Sequence, residues 1–190
     1  MALHKNFPKD PYAILEPQIR WFPADEDLRE TGFEKLIPPL VADLREKVKE
    51  WRDKNYDGAS ETSRALLNWW FKEEHILYNA DGSSYNFRYY FAQREAMETV
   101  VWLYEVAKVK DKYDLIRYNS TGVLSPQMFT EEWLRFVIKM ATGAGKTKVM
   151  SLLIAWAYFH KKYESDSNLA KNFLLITPNV IVFERIKNDF

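Results

Sequence analysis

A short run with two glycines separates two apolar segments of this chain and limits the folds open to it. The run is Met140-Ala-Thr-Gly-Ala-Gly-Lys-Thr147, preceded by the β-prone residues 134–140. Residues 149–159 after it are apolar at nearly every position, and a second apolar run fills 172–177. A strand, a glycine loop, a buried helix and a buried strand form a βαβ unit with parallel strands. The pattern predicts an α/β fold with a parallel sheet.

The glycine run has the chemistry of a phosphate-binding loop. Gly143 and Gly145 let the backbone curl until its amides point inward, and the following helix adds its positive N-terminal end. Lys146 can then reach phosphate oxygens, and the Thr147 hydroxyl can bind Mg²⁺. The alternative is an ordinary glycine turn with a surface lysine. We predict a nucleoside triphosphate site with Lys146 and Thr147 as its catalytic residues, formed by Thr142, Gly143, Ala144, Gly145, Lys146 and Thr147.

The N-terminal part of the chain has a different pattern. Residues 1–31 contain four prolines, which predict an extended arm. Apolar residues then recur at helical spacing from Ile37 to Trp51, and a second helix is predicted to begin near Ser60 or Thr62 and to include Phe71. A turn at 79–82 and a third helix over 93–108 follow. We therefore divide the chain into a mainly helical region, 1–85, and a nucleotide-binding region, 86–190.

Composition excludes some classes of protein. The chain has no cysteine, so disulfides and cysteine-bound metals are excluded. Its N-terminus lacks a signal-peptide pattern, and its longest apolar run is too short to span a bilayer, so we expect a cytoplasmic protein with no membrane partner. The net charge is zero, but Lys and Arg number 12 against 16 Asp and Glu in residues 1–85, and 15 against 11 in 86–190. A polyanion would favour the second part.

Three segments together resemble a known family. They are Phe87-Arg-Tyr-Tyr-Phe-Ala-Gln-Arg-Glu-Ala-Met-Glu-Thr99, Val137 to Thr147, and Phe173 to Ile186. The sequence is similar to the superfamily 2 helicase-like subunit of type III restriction enzymes and to related DEAD/DEAH-box proteins of prokaryotic defence systems. Met140 replaces the first glycine of the longer phosphate-loop pattern, but the shorter form usual in that superfamily is met. The resemblance implies a partial RecA-like domain that uses ATP and Mg²⁺, acts on DNA and pairs with a methyltransferase subunit.

The resemblance also assigns roles to individual residues. Gln93 falls where family members place a glutamine that reads adenine, a role that suits an amide side chain; a solvent-facing glutamine at a helix start is the alternative. Thr177, Pro178 and Asn179 match a motif that contacts the DNA backbone, which positions DNA without reading its sequence. Alternatively, Thr177 caps the next helix and Pro178 takes its first position.

Two further motor parts of that family are not found in these 190 residues: the acidic box and the second RecA-like domain. The acidic stretch within residues 70–75 precedes the loop, and we interpret it as a solvated helix end. We therefore expect this polypeptide to bind ATP without turning it over at a motor's rate. The competing hypotheses are a nucleotide or small-molecule kinase, and a non-catalytic module in which residues 1–85 dock a partner and the loop is vestigial.

Overall fold

A computed structural model of the chain describes residues 10–16, 41–118, 136–177 and 180–189. These residues contain six α-helices, one π-helical turn and two strands. In chain order the elements are α1 Val41–Asp53, α2 Glu61–Lys72, β1 His75–Tyr78, β2 Ser84–Phe87, α3 Phe91–Val101, the π turn Trp102–Val106, α4 Lys112–Ile116, α5 Lys146–Tyr163 and α6 Val180–Asp189.

The two predicted N-terminal helices are confirmed as α1 and α2. Ser60 caps α2, because its side chain accepts a hydrogen bond of 3.1 Å from the amide of Ser63. The helix ends at Lys72, and Glu73 and Glu74 beyond it are exposed, as expected of a solvated helix end. The part of the first helix prediction before residue 41 lies outside the described residues.

Helix α3 changes its winding before it ends. It begins at Phe91, two residues before the predicted start, and after Val101 it continues as a π turn in which the amide of Ala107 bonds to the carbonyl of Trp102 at 2.9 Å. The predicted helix over 93–108 is therefore correct in place but not in regular winding. A π turn inserts one extra residue and redirects the side chains that follow it.

One core joins the N-terminal helices to those that follow. Helices α1, α2 and α5 all contact α3, and α2 also contacts α5. The fully buried side chains of this core include those of Val48, Leu67, Met97 and Val101, with Trp156 of α5 beside them. Residues 41–72 thus pack directly against the helices that flank the glycine loop.

The predicted parallel sheet is not present in the described part of the chain. Residues 136–140 and 172–177 have irregular backbone, and Val137 and Leu174 are 90% and 85% exposed. Among the described residues, neither segment has a neighbouring strand that could pair its backbone groups. The sheet that is described is an antiparallel hairpin in which His75 pairs with Phe87 and Tyr78 with Ser84. Its tip is the predicted turn, with the amide of Gly82 bonded to the carbonyl of Asn79.

Candidate nucleotide site

The glycine loop ends at the first turn of α5, as predicted. Gly143 and Gly145 have φ angles of +81° and +77°, a left-handed conformation that L side chains rarely adopt. Gly145 is the residue directly before α5, so the loop ends at the N-terminus of a helix. A side chain at Gly143 would meet open space, whereas one at Gly145 would meet Gln93.

Lys146 lies over its own loop. Its ammonium group donates to the carbonyl of Ala141 at 3.0 Å and to that of Met140 at 3.3 Å. Neutral carbonyls bind an ammonium group less strongly than phosphate oxygens do. A phosphate bound in the loop can therefore replace these carbonyls as the partner of the Lys146 ammonium group. The residues of the loop thus fit a bound triphosphate.

Gln93 lies against the glycine loop although 51 residues separate it from Ala144. Its side-chain oxygen accepts from the amide of Tyr90 at 3.0 Å, and its side-chain nitrogen donates to the carbonyl of Ala144 at 3.0 Å. The side chain is buried. The solvent-facing alternative for Gln93 is therefore wrong, while its contact with adenine stays a prediction.

The other predicted site residues that the structure describes are less buried than Gln93. Thr142 is exposed and Thr147 is half-buried at the start of α5, with its carbonyl accepting from Ser151 at 3.1 Å. Thr177 is half-buried at the end of its apolar segment, whereas Pro178 and Asn179 lie outside the described residues. The Mg²⁺ role of Thr147 and the DNA role of the three-residue motif stay predictions.

A cavity of about 290 Å³ lies beside the site and was missed by sequence reasoning. Its lining comes from residues 12–14, the end of α2 and the segment from β2 to the start of α3. Aromatic and cationic side chains predominate, with two carboxylates beside them: Tyr12, Trp70, Phe71, Lys72, Glu73, Glu74, Phe87, Arg88, Tyr89, Phe91 and Arg94. Lys148, in the first turn of α5, lies 5.8 Å above the Phe87 ring, which joins the cavity to the loop region. The only signal for it in the sequence was the density of aromatic residues around position 89.

A buried charge network around Glu98, which shares Arg94 with the cavity, was also missed. Glu98 is fully buried and accepts from Arg52 at 2.8 Å, from Arg94 at 2.7 Å and from the Tyr56 hydroxyl at 2.7 Å. Burial and the charge of Glu98 raise the pKa of Tyr56 well above its ordinary value, so the phenol stays a hydrogen-bond donor. The i,i+4 spacing of Arg94 and Glu98 was visible in the sequence, but the two partners from the N-terminal region were not.

The two described histidines, His75 and His160, are not part of a metal site within the described residues. Within the described ranges, no three His, Cys, Asp or Glu side chains lie close enough to hold a metal ion. His160 of α5 instead contacts Glu105 at 3.2 Å and Ser167 at 2.7 Å. His160 therefore links α5 to the π turn and to the segment that leads to residue 172.

Comparison with known families identifies the family of the chain. The family model described as type III restriction enzyme, res subunit, matches residues 85–190, more than half of the chain. The chain belongs to this family. The match includes Gln93 and the whole glycine loop, confirms the resemblance seen in the sequence, and makes the chain part of a helicase-like, ATP-binding subunit of the type III restriction class.

The res-subunit match begins at β2, so it leaves out α1, α2 and most of the hairpin. No curated protein and no solved structure gave a significant match to the chain. Among the helices of the described residues, none combines the length and the apolar character that crossing a bilayer requires.

Proposed function

We propose that this chain is the ATP-binding part of a DNA translocase or helicase subunit that serves a restriction-modification or related defence system. The contact between Gln93 and the carbonyl of Ala144 carries the proposal. It joins Gln93, to which the resemblance gives the adenine-reading role, to the glycine loop, so one nucleotide can contact both. A kinase that used the loop alone would not need this glutamine.

In this function the chain's own residues have separate tasks. The glycine loop and the N-terminal end of α5 hold the phosphates, Lys146 neutralises their charge, and Thr147 is the candidate ligand for Mg²⁺. The bound metal supplies charge neutralisation at the transferring phosphoryl group. The cavity beside α3 offers ring faces and cations, which suit a nucleobase. Thr177, Pro178 and Asn179 remain the candidate contacts to DNA.

We also propose that residues 134–140 and 172–177 pair as parallel strands of a RecA-like sheet. Support comes from α5, which connects the two apolar segments. Its buried residues, among them Leu152 and Trp156, face the helical core, while Ile154 and Tyr158 on the opposite face remain half-buried or exposed. A helix with apolar residues on both faces is typical of a helix between two layers.

The proposed function is tested by calorimetry with Mg-ATP. Lys146→Ala should weaken binding by roughly 10- to 100-fold, because a hydrogen bond to a charged group contributes about 1.5–3 kcal/mol. Lys162→Ala removes an exposed lysine from the same helix and serves as the matched control. Equal affinity of wild type and Lys146→Ala would exclude the loop as the nucleotide site.

A further inference from the structure

The turn after α1 has an unusual backbone. Asn55 and Tyr56 have φ angles of 55° and 60°, in the left-handed region that residues other than glycine rarely adopt. Tyr56 is also fully buried. Such a conformation costs free energy and persists only where its surroundings hold it in place. Here the amide of Tyr56 bonds to the carbonyl of Trp51 at 2.9 Å, and the Trp51 ring nitrogen donates to the carbonyl of Asp57 at 2.9 Å.

This strained turn delivers one hydroxyl group to α3. The Tyr56 phenol donates to Glu98 at 2.7 Å and accepts from Arg94 at 2.9 Å. Arg52, one α-helical turn earlier, donates to the same carboxylate. Three side chains therefore fix Glu98, and two of them come from the N-terminal region that the family match leaves out.

The network reaches the nucleotide loop through one short helix. Arg94 follows Gln93 directly, and Glu95 on the next position pairs with Arg45 of α1 at 3.1 Å. The N-terminal region thus holds α3 at positions 94, 95 and 98, within five residues of the glutamine that contacts Ala144. Any rotation of α3 that separates Glu98 from its partners also moves the Gln93 amide relative to the loop.

A purely stabilising function explains this arrangement poorly. A buried ion pair is often no more stable than well-packed apolar side chains of the same size. A buried ionic network does, however, fix orientation, because its bonds form in only one geometry. Gln93 depends on the orientation of α3 relative to the loop, because its two hydrogen bonds join the start of α3 to the loop.

We infer that Tyr56 and Arg52 are positioning residues for the nucleotide site: through Glu98 they set the angle of α3 and thereby the placement of Gln93 against the glycine loop. The inference rests on the proposed nucleotide binding. It gives residues 41–57 a task within the motor site itself, in contrast to the docking of a separate partner subunit.

The test is a double-mutant cycle on Mg-ATP affinity. Tyr56→Phe removes the hydroxyl and keeps the ring. It should weaken binding about three- to tenfold, which lies in the lower part of the range of coupling between groups in one network. In the Gln93→Ala background the same substitution should have no further effect. Tyr104→Phe is the matched control, because its hydroxyl accepts from the amide of Asn168 at 3.0 Å, away from Gln93. Arg52→Lys keeps the charge without the fork geometry and should behave like Tyr56→Phe.

Two results would overturn the inference. In the first, Tyr56→Phe and Tyr104→Phe change the affinity equally. In the second, the loss caused by Tyr56→Phe persists in full without Gln93. If the wild-type chain itself fails to bind Mg-ATP, the proposed function is wrong. Hydrogen exchange of the loop then tests the positioning role of Tyr56 without any nucleotide. The amide of Val149, bonded to the carbonyl of Gly145 at 3.3 Å, should then exchange faster in Tyr56→Phe than in Tyr104→Phe, and equal rates would overturn the inference.

Discussion

At the scale of single residues, Gly145 and Gln93 act as an interlocking pair. A Cβ atom built on Gly145 would lie 2.1 Å from the side-chain nitrogen of Gln93, far inside van der Waals contact. Gly145 therefore has two roles: it adopts a φ of +77°, and it leaves the space that the Gln93 amide occupies and from which a side chain would displace it. Gly143 has a similar φ but open space around it, so it is required only for its backbone.

Alanine substitutions separate these two requirements. Both Gly143→Ala and Gly145→Ala place a side chain in the left-handed region, at a cost of roughly 1–2 kcal/mol. Gly145→Ala should weaken Mg-ATP binding more, because it also pushes the Gln93 amide away from Ala144. Titration of both variants, and of Gly145→Ala in the Gln93→Ala background, checks this. Equal losses for the two glycines would show that the glutamine contact has no effect on binding.

Gln93 itself is predicted to confer a preference for adenine. A site that hydrogen-bonds its ligand rejects an analogue that leaves buried polar groups unpaired. Gln93→Ala should therefore narrow the ratio between ATP and GTP affinities. The measurement is competition of each nucleotide against a labelled analogue. An unchanged ratio would remove the adenine role and leave Gln93 as a structural partner of the loop.

At the scale of elements, the π turn at the end of α3 connects that helix to α2 and α5. It places Glu105 where its carboxylate accepts from the amide of Ser60 at 2.6 Å, at the N-terminus of α2, and contacts His160 of α5. Regular helical winding would direct this carboxylate elsewhere. The sequence contains the apolar spacing of the helix, but spacing does not reveal the inserted residue, so this junction could not be predicted.

A second link between α2 and α5 should depend on pH. Glu164, just after α5, accepts from the amide of Thr62 at 3.0 Å, and hydrogen bonds from Thr62 hold its pKa below the ordinary value of 4.5. A carboxylate with a lowered pKa stabilises the fold above the unfolded pKa and loses that effect as the pH falls through the folded value. Glu164→Gln should thus lower the melting temperature more at pH 7 than near pH 3. Thermal unfolding at both values checks this, and an equal loss at both would contradict it.

At the scale of the whole molecule, the helical core was more predictable than the sheet. Helices α1 and α2 follow from the helical spacing of their apolar residues, and α2 also from its cap at Ser60. Helix α5 follows from the continuous apolar run over 149–159. A strand depends on a neighbour, and the described residues bring none to 136–140 or 172–177. Likewise, the glycine loop could be identified from its own residues. The contact between Tyr56 and Glu98 joins positions 42 residues apart, so no local sequence pattern predicts it.

The proposed parallel sheet has its own test in Ile176, which is 85% exposed in the irregular segment. If 172–177 is an inner strand, Ile176→Lys buries a charge and should lower the free energy of unfolding by on the order of 2 kcal/mol or more. Tyr78→Lys, at an exposed position of the hairpin, is the control. Urea unfolding of both variants gives the comparison. Equal, small effects would show that residue 176 stays at the surface.

The glycine loop itself can be observed directly by NMR of the chain labelled with ¹⁵N-glycine. The sequence has six glycines, so the spectrum contains six backbone signals, and those of Gly58 and Gly82 lie in turns outside the site and act as internal controls. If the loop holds phosphates, saturating Mg-ATP should move the signals of Gly143 and Gly145 and leave those two controls in place. Loop signals that stay unmoved at saturation would contradict nucleotide binding by this loop.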